Sequence, residues 1–153
     1  MGRQAMFERN VIAGWGDMDF NTHMRNTAYL DKAVDVRMMF FAACGFSMRE
    51  FQRLKVGPVV MKDEVEYYRE VNLLDELRIT LALAGIAEDG SRFRLRNEFF
   101  DADSRSVAKL SSIGGWLDLA VRKLVAPPPP ILAALNRLER TDDFETMRSS
   151  LRA

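Results

Sequence analysis

The residues with the most chemistry in the shortest span lie between Gly14 and Leu30, in "GWGDMDFNTHMRNTAYL". The segment holds Asp17 and Asp19, the only histidine, His23, and also Asn21, Asn26 and Tyr29. Carboxylates and an imidazole are the groups that move protons or attack an electrophilic carbon. His23 is a candidate general base because an unperturbed imidazole titrates near neutrality. A helix beginning just after them would add unsatisfied backbone amides and a partial positive charge, which suit a developing anion. Each residue also has a plain structural reading. Aspartates in turns bond loop amides, Asn26 is a favourable helix cap, a lone histidine serves packing as readily as catalysis, and Tyr29 packs one turn into a helix. One histidine and one cysteine, Cys44, make no His/Cys metal cluster. A carboxylate-only site stays open, but no metal is expected.

These residues need a strand before them and a helix after them. Phe7 to Ala13 alternates weakly and reads as a short strand. Gly14, Gly16, Asp17, Asp19 and Asn21 form turns, and a helix is expected from Asn26 or Thr27 to about Ala43, stopping at Gly45. Its charged residues Asp31, Lys32 and Asp35 share a narrow arc, with apolar residues over most of the remainder, so the helix is expected to be buried on more than one side. A short amphipathic turn over Ser47–Leu54 leads to four extended segments, near 59–68, 76–84, 92–100 and 106–118. Asp89-Gly90 is a strong hairpin signal, and these strands are expected to form a consecutive antiparallel meander. The small residues Ser111, Ser112, Gly114 and Gly115 mark a bulge or a close backbone approach, near a subunit contact. The prolines of "APPPP" read as a stiff spacer before a terminal helix over 131–140. The expected organisation is one α+β domain over 1–140, with 141–153 as a C-terminal tail.

At 153 residues the chain suits one core, and 48% apolar with 29% charged residues is a globular composition. The 22 basic and 22 acidic residues cancel, which removes the long-range field that nucleic acid or an anionic membrane would require. No stretch approaches a membrane span, and Cys44 has no disulfide partner within the chain. The expected address is the cytoplasm.

Trp15 to Tyr29 resembles the hot-dog fold thioesterases, specifically the 4-hydroxybenzoyl-CoA thioesterase-like branch. That branch carries Asp-x-Asp-x-x-Gly-His-(apolar)-x-Asn-x-x-Tyr, and Asp17, Asp19, His23, Met24, Asn26 and Tyr29 stand in the same spacing. Element order and "NLLDELRI" extend the likeness over roughly residues 6–125. The resemblance implies a hot-dog fold, an antiparallel sheet of about five strands wrapped around a central helix, in self-associating dimers or tetramers. It implies hydrolysis of an acyl-CoA to the free acid and thiol, with coenzyme A as part of the substrate and no other cofactor. Asp19 would attack the carbonyl or activate water, and a backbone amide near Asn26 would hold the oxyanion; His23, whose role in that branch is less uniform, stands as a further candidate for catalysis or substrate contact. Two positions depart from the pattern. Thr22 replaces a glycine, although a residue with a Cβ resists positive φ, and Arg25 occupies a position often held by a non-basic residue.

Asp17, Thr22, Arg25, Tyr29, Arg92 and Arg94 complete the set as candidate substrate contacts. Asp17 doubles as a candidate loop anchor. Arg92, Arg94 and Arg96 share one strand face and suit coenzyme A phosphates, but with Glu98 they also read as a solvated row. Two rivals fit the same residues: hydrolysis of acyl groups carried on acyl carrier protein, and a non-catalytic module that binds acyl thioesters.

Overall fold

The computed structural model describes residues 6–151. In chain order they form β1 (Phe7–Ile12), a single 3-10 turn (Trp15–Asp17), α1 (Asn26–Ala43), α2 (Met48–Leu54), β2 (Val56–Tyr67), β3 (Glu76–Ala87), β4 (Arg92–Phe100), β5 (Ser106–Asp118), β6 (Lys123–Val125), α3 (Pro129–Asn136) and β7 (Arg140–Met147). Five strands, in the order β1-β3-β4-β5-β2, carry the main path of the sheet and curl around α1. This is the α+β hot-dog arrangement. Among the described residues no helix is long and apolar enough to cross a membrane.

Burial explains the curl. Along β4, Phe93, Leu95, Asn97 and Phe99 are buried while Arg92, Arg94, Arg96 and Glu98 are only partly covered, the period of two that gives a sheet one inner face. Tyr29, Ala33, Val36, Arg37, Phe40 and Phe41 form the matching stripe on α1. Phe41, Phe51, Phe93 and Trp116 then close the far end of the core, with neighbouring ring centroids 5.6–6.1 Å apart. The helix is buried on one stripe rather than on several sides, since Val34 and Met39 are each 41% exposed.

The four long strands are not a consecutive meander. β3, β4 and β5 are, but β2 pairs with β5 and lies at the opposite edge from β1 and β3. The physical reason lies in the connections. Gly90, at φ +76, and Asp89, which accepts the Ser91 amide at 2.9 Å, make the tight β3–β4 turn. Residues 68–75 also hold a turn, with Leu74 at φ +70 and the Asp75 amide on the Asn72 carbonyl at 3.1 Å, but it ends an eight-residue connection and leads the chain into β3 beside β1 rather than pairing β3 with β2.

The close approach expected near Gly114 is internal to the chain. A Cβ there would meet the Val59 carbonyl at 2.6 Å, beside a bulge in β2 between Val60 and Lys62. The proline run is not purely a spacer, because α3 begins inside it at Pro129, where the missing amides cost nothing.

Of the region expected as a tail, 141–153, residues 141–147 belong to the sheet. β7 runs parallel to β3, pairing Leu83 with Arg140 and Ala87 with Met147. Phe144 packs against the core, and both carboxylate oxygens of Asp143 accept from Arg96, at 2.6 and 3.0 Å. Ser149 donates to Asp89 and fastens the end of the segment to the β3–β4 hairpin. Two further strands, β6 on β5 and β7 on β3, therefore extend the expected five.

Candidate active site

The loop between β1 and α1 is held by its own side chains and backbone. Asp19 closes a small turn: its Oδ1 accepts the amides of Asn21 at 2.8 Å and His23 at 3.1 Å, and its own amide donates to the His23 carbonyl at 2.7 Å. Thr22 completes the turn with φ +64. The left-handed conformation expected of a glycine is thus kept by a β-branched residue, at a cost of about 1–2 kcal/mol. The Met24 amide then donates to Val71 at 2.8 Å, pinning the loop to residues 68–75.

Asp19, Asn21, His23, Met24, Asn26 and Tyr29 line one side of an open pocket of about 500 Å³, and Tyr67, Tyr68, Arg69 and Glu70 line the other. Both backbone donors to Asp19 fall on Oδ1, which leaves Oδ2 for chemistry. His23 Nε2 stands 3.1 Å from Glu70 Oε2. Tyr67 donates to the Asn26 carbonyl at 3.4 Å, and its ring meets that of Tyr29 edge to face. Burial first, then the neighbouring Tyr67, Asp19 and Glu70, push the Tyr29 phenol up to about 12, so it stays protonated at neutral pH.

The start of α1 is poorly capped. Arg25 is the cap residue but offers no side-chain bond, and Asn26 Oδ1 accepts the Thr27 amide at 3.0 Å. Asn26 is therefore the first helical residue rather than the cap, and its amide has no side-chain cap. A helix start that opens into a pocket beside a carboxylate suits an oxyanion.

The structure brings Asp19, His23, Asn26 and Tyr29 together and places the other candidates elsewhere. Asp17 accepts the Gly14 amide at 2.8 Å and the Lys32 ammonium at 2.8 Å, while Lys32 also reaches the Ile12 carbonyl at 3.2 Å. It is the anchor that ties β1, the loop and α1. Thr22 is exposed and donates to the Asn21 carbonyl. Arg25 turns back to the Gly16 carbonyl and to Thr27 Oγ1 at 2.9 Å, with Asp31 at 3.6 Å. Arg92 and Arg94 stand on the outer face of the sheet, and Arg94 shares a separate recess with Lys62, Arg96 and Asp143.

Residues 67–70 carry half the pocket and are absent from the sequence-derived set. Their signal is "YYRE" at the end of β2, two adjacent aromatics followed by two charges where a strand should simply stop.

Asp17 gives a pH-dependent prediction. Burial raises its pKa, but hydrogen bonding to Lys32 and Gly14 and the charges of Lys32 and Arg25 outweigh that and hold the carboxyl below its ordinary value. A depressed carboxyl contributes stability that is present above the unfolded value, near 4, and is lost as pH falls through the folded one. Asp17→Asn should therefore cost about 1–2 kcal/mol at pH 7. The gap to wild type in urea midpoints should close below about pH 4. A gap that stays constant through the acid range would show that the charge of Asp17 is not what anchors the loop.

A sheet curled around one helix, with a carboxylate-bearing loop delivered to the start of that helix, is the hot-dog architecture with its candidate site at the helix start. A family model described as the thioesterase-like superfamily matches residues 13–135, and the chain belongs to that family. Over 138 residues it is 23% identical to an L-carnitine dehydrogenase/betainyl-CoA thioesterase of Agrobacterium fabrum. That match covers 90% of this chain and 28% of the relative, so the chain spans little more than a quarter of that protein's length. Among solved structures, a Staphylococcus aureus protein in complex with CoA superposes with a TM-score of 0.82 at 19% identity, covering 92% of this chain and 90% of the other. A 1,4-dihydroxy-2-naphthoyl-CoA thioesterase from Synechocystis gives 0.77 at 14% identity, covering 86% and 96%.

Proposed function

We propose that the protein hydrolyses an acyl-CoA thioester in the cytoplasm, with Asp19 as the reactive carboxylate. The observation that carries this reading is the asymmetry of Asp19: Oδ1 is fixed by two amides, and Oδ2 has no backbone donor in a pocket that also holds the uncapped start of α1. Oδ2 attacks the carbonyl carbon, or takes the proton of a water that does so. The resulting oxyanion is held at the Asn26 amide, the C–S bond breaks, and the thiolate of coenzyme A leaves and is protonated. On the water route this gives the free acid directly; where Oδ2 itself attacked, water then cleaves the acyl-Asp19 anhydride to release the acid and restore the carboxylate. His23, paired with Glu70, stands beside the reacting centre to assist proton transfer. Membership of the thioesterase-like superfamily supports the reaction class, and the agrobacterial relative, named a betainyl-CoA thioesterase, supports coenzyme A as the thiol.

We infer that the protein acts as a self-association product. β2 is an edge strand of the main sheet with Val60 51% and Met61 42% exposed, and Val34 and Met39 of α1 also face solvent. A second copy of the chain would cover such an edge and such side chains.

The test is steady-state thiol release from a panel of short, long and aromatic acyl-CoAs, beside matched acyl groups on acyl carrier protein. Turnover is expected with coenzyme A thioesters. Hydrolysis confined to the protein-bound thioesters would move the reading to the carrier. Tight binding of acyl-CoA without any thiol release would make the protein a binding module.

A further inference from the structure

α1 carries a second hollow toward its other end. A recess of about 400 Å³ lies between α1, α2 and the start of β2. Phe41, Phe51, Phe93 and Leu95 line its buried side, while Val34, Met48 and Val60 stand exposed at its mouth. It shares no residue with the Asp19 pocket. Arg37, on its wall, follows the first residue of the helix, Asn26, by about 16 Å along the axis.

A single charge interrupts this apolar lining. Arg37 is its only ionisable residue, and Gln52 is its only other polar side chain. Arg37 is 5% exposed; its Nε donates to Asn97 and its Nη2 to Ser112, and Nη1 has no hydrogen-bond partner among the described residues. Asp63, the carboxylate that acts on it, is exposed and is joined to it through Ser112. Burial lowers the pKa of the guanidinium although Asp63 opposes this, as expected of a buried cation with too little negative charge around it.

These groups select a ligand. A wholly apolar molecule would leave Nη1 unpaired in a dry recess, and a cation would meet a like charge. A molecule with an apolar body and one carboxylate suits both parts. Its hydrocarbon leaves water, and a hydrogen bond between guanidinium and carboxylate is roughly twice as strong as a neutral one. An apolar hollow with one or two polar groups to fix orientation is also the usual form of a small-molecule site.

We propose that this recess is a second ligand site, which takes an apolar monocarboxylic acid with its carboxylate on Arg37 and its hydrocarbon body against Met38, Phe41 and Phe51. The proposal stands on the recess alone, whether or not Asp19 hydrolyses a thioester.

Calorimetric titration of the full chain in its native assembly, with octanoate and with its neutral isostere octanamide, tests it. Octanoate should bind about tenfold or more tightly. Asp19→Asn should leave both affinities unchanged; loss of octanoate binding in that variant would place the acid in the Asp19 pocket and overturn the proposal. Arg37→Met combined with Asn97→Leu should bring the two ligands to parity. Met48→Glu carries the test if that double variant fails to fold. Met48 is the first residue of α2, where a carboxylate suits the helix, and a negative charge at the mouth should weaken octanoate roughly threefold and spare octanamide. Equal binding of the two ligands to the wild-type protein would make the recess a plain apolar channel and overturn the proposal. So would binding of neither, which is expected if the second copy that meets Val34 and Val60 fills the recess instead of a ligand.

Discussion

Asp19→Asn is expected to lower kcat by about a thousandfold, within the range of roughly a hundred to ten thousand for loss of a positioned acid–base group, while leaving the fold unchanged. The substitution is unusually clean here. The two amides that organise the loop, from Asn21 and His23, both donate to Oδ1, and an asparagine carbonyl oxygen in that place accepts them as well. What is lost is the charge and nucleophilicity of the second oxygen. KM for an acyl-CoA should change little, because an interaction used only in the transition state affects kcat and kcat/KM together. Thermal unfolding of the variant should match wild type, and a variant that keeps more than a tenth of wild-type kcat would remove Asp19 from the chemistry. His23→Gln is expected to cost less, because His23 assists proton transfer rather than attacking the carbonyl, and its backbone, which serves the loop, is unchanged by the substitution. If His23→Gln proved as damaging as Asp19→Asn with folding intact, the proton-transfer role would belong to the histidine.

The half of the pocket contributed by residues 19–29 is legible in the sequence because it is local. Turn-formers, carboxylates and a helix start within a dozen residues leave few ways to fold, and the β3–β4–β5 hairpins are legible for the same reason. The other half is not. Tyr67 reaches the Asn26 carbonyl across 41 positions of chain, and nothing in the alternation of β2 reveals which edge of the sheet it joins. Edge choice is decided by the path of residues 68–75, and that same path delivers Tyr68, Arg69 and Glu70 to the pocket. The strand β7 was hidden by its charge. "RTDDFETM" reads as a polar tail until Arg96 is seen to donate to Asp143 and Phe144 is seen against the core. Thr22 shows the opposite case, a departure from pattern that left the geometry intact: the turn around Asp19 imposes the positive φ, and threonine takes it.

The largest effect on stability is expected at Arg37, a charged residue in the middle of the apolar stripe of α1. It is 5% exposed, and its guanidinium donates to Asn97 Oδ1 at 2.9 Å and Ser112 Oγ at 2.7 Å. Ser112 in turn donates to Asp63, and Asn97 Nδ2 donates to the Thr80 carbonyl at 3.1 Å, so one chain of hydrogen bonds joins α1 to β2, β3, β4 and β5. Burial draws the guanidinium down to about 10 against the opposing pull of Asp63, and it remains charged at neutral pH. Removing one member of such a network strands the others in a low-dielectric interior. Arg37→Met, close in length and apolar, should therefore destabilise the fold by about 3 kcal/mol or more. That corresponds to a fall in Tm of roughly 6–12 °C for a domain of this size. Arg37→Lys should fall between, since a single ammonium point charge does not reproduce the planar fork that meets Asn97 and Ser112 together. The decisive comparison is the double variant. If the penalty comes from stranded polar partners, Arg37→Met should cost clearly less in an Asn97→Leu background than alone, because removing both sides of a buried polar pair relieves what removing one side inflicts. Additive losses would mean instead that Arg37 acts through the packing of its aliphatic stem against the sheet, and that the polar chain across the inner face contributes little to holding the helix in place.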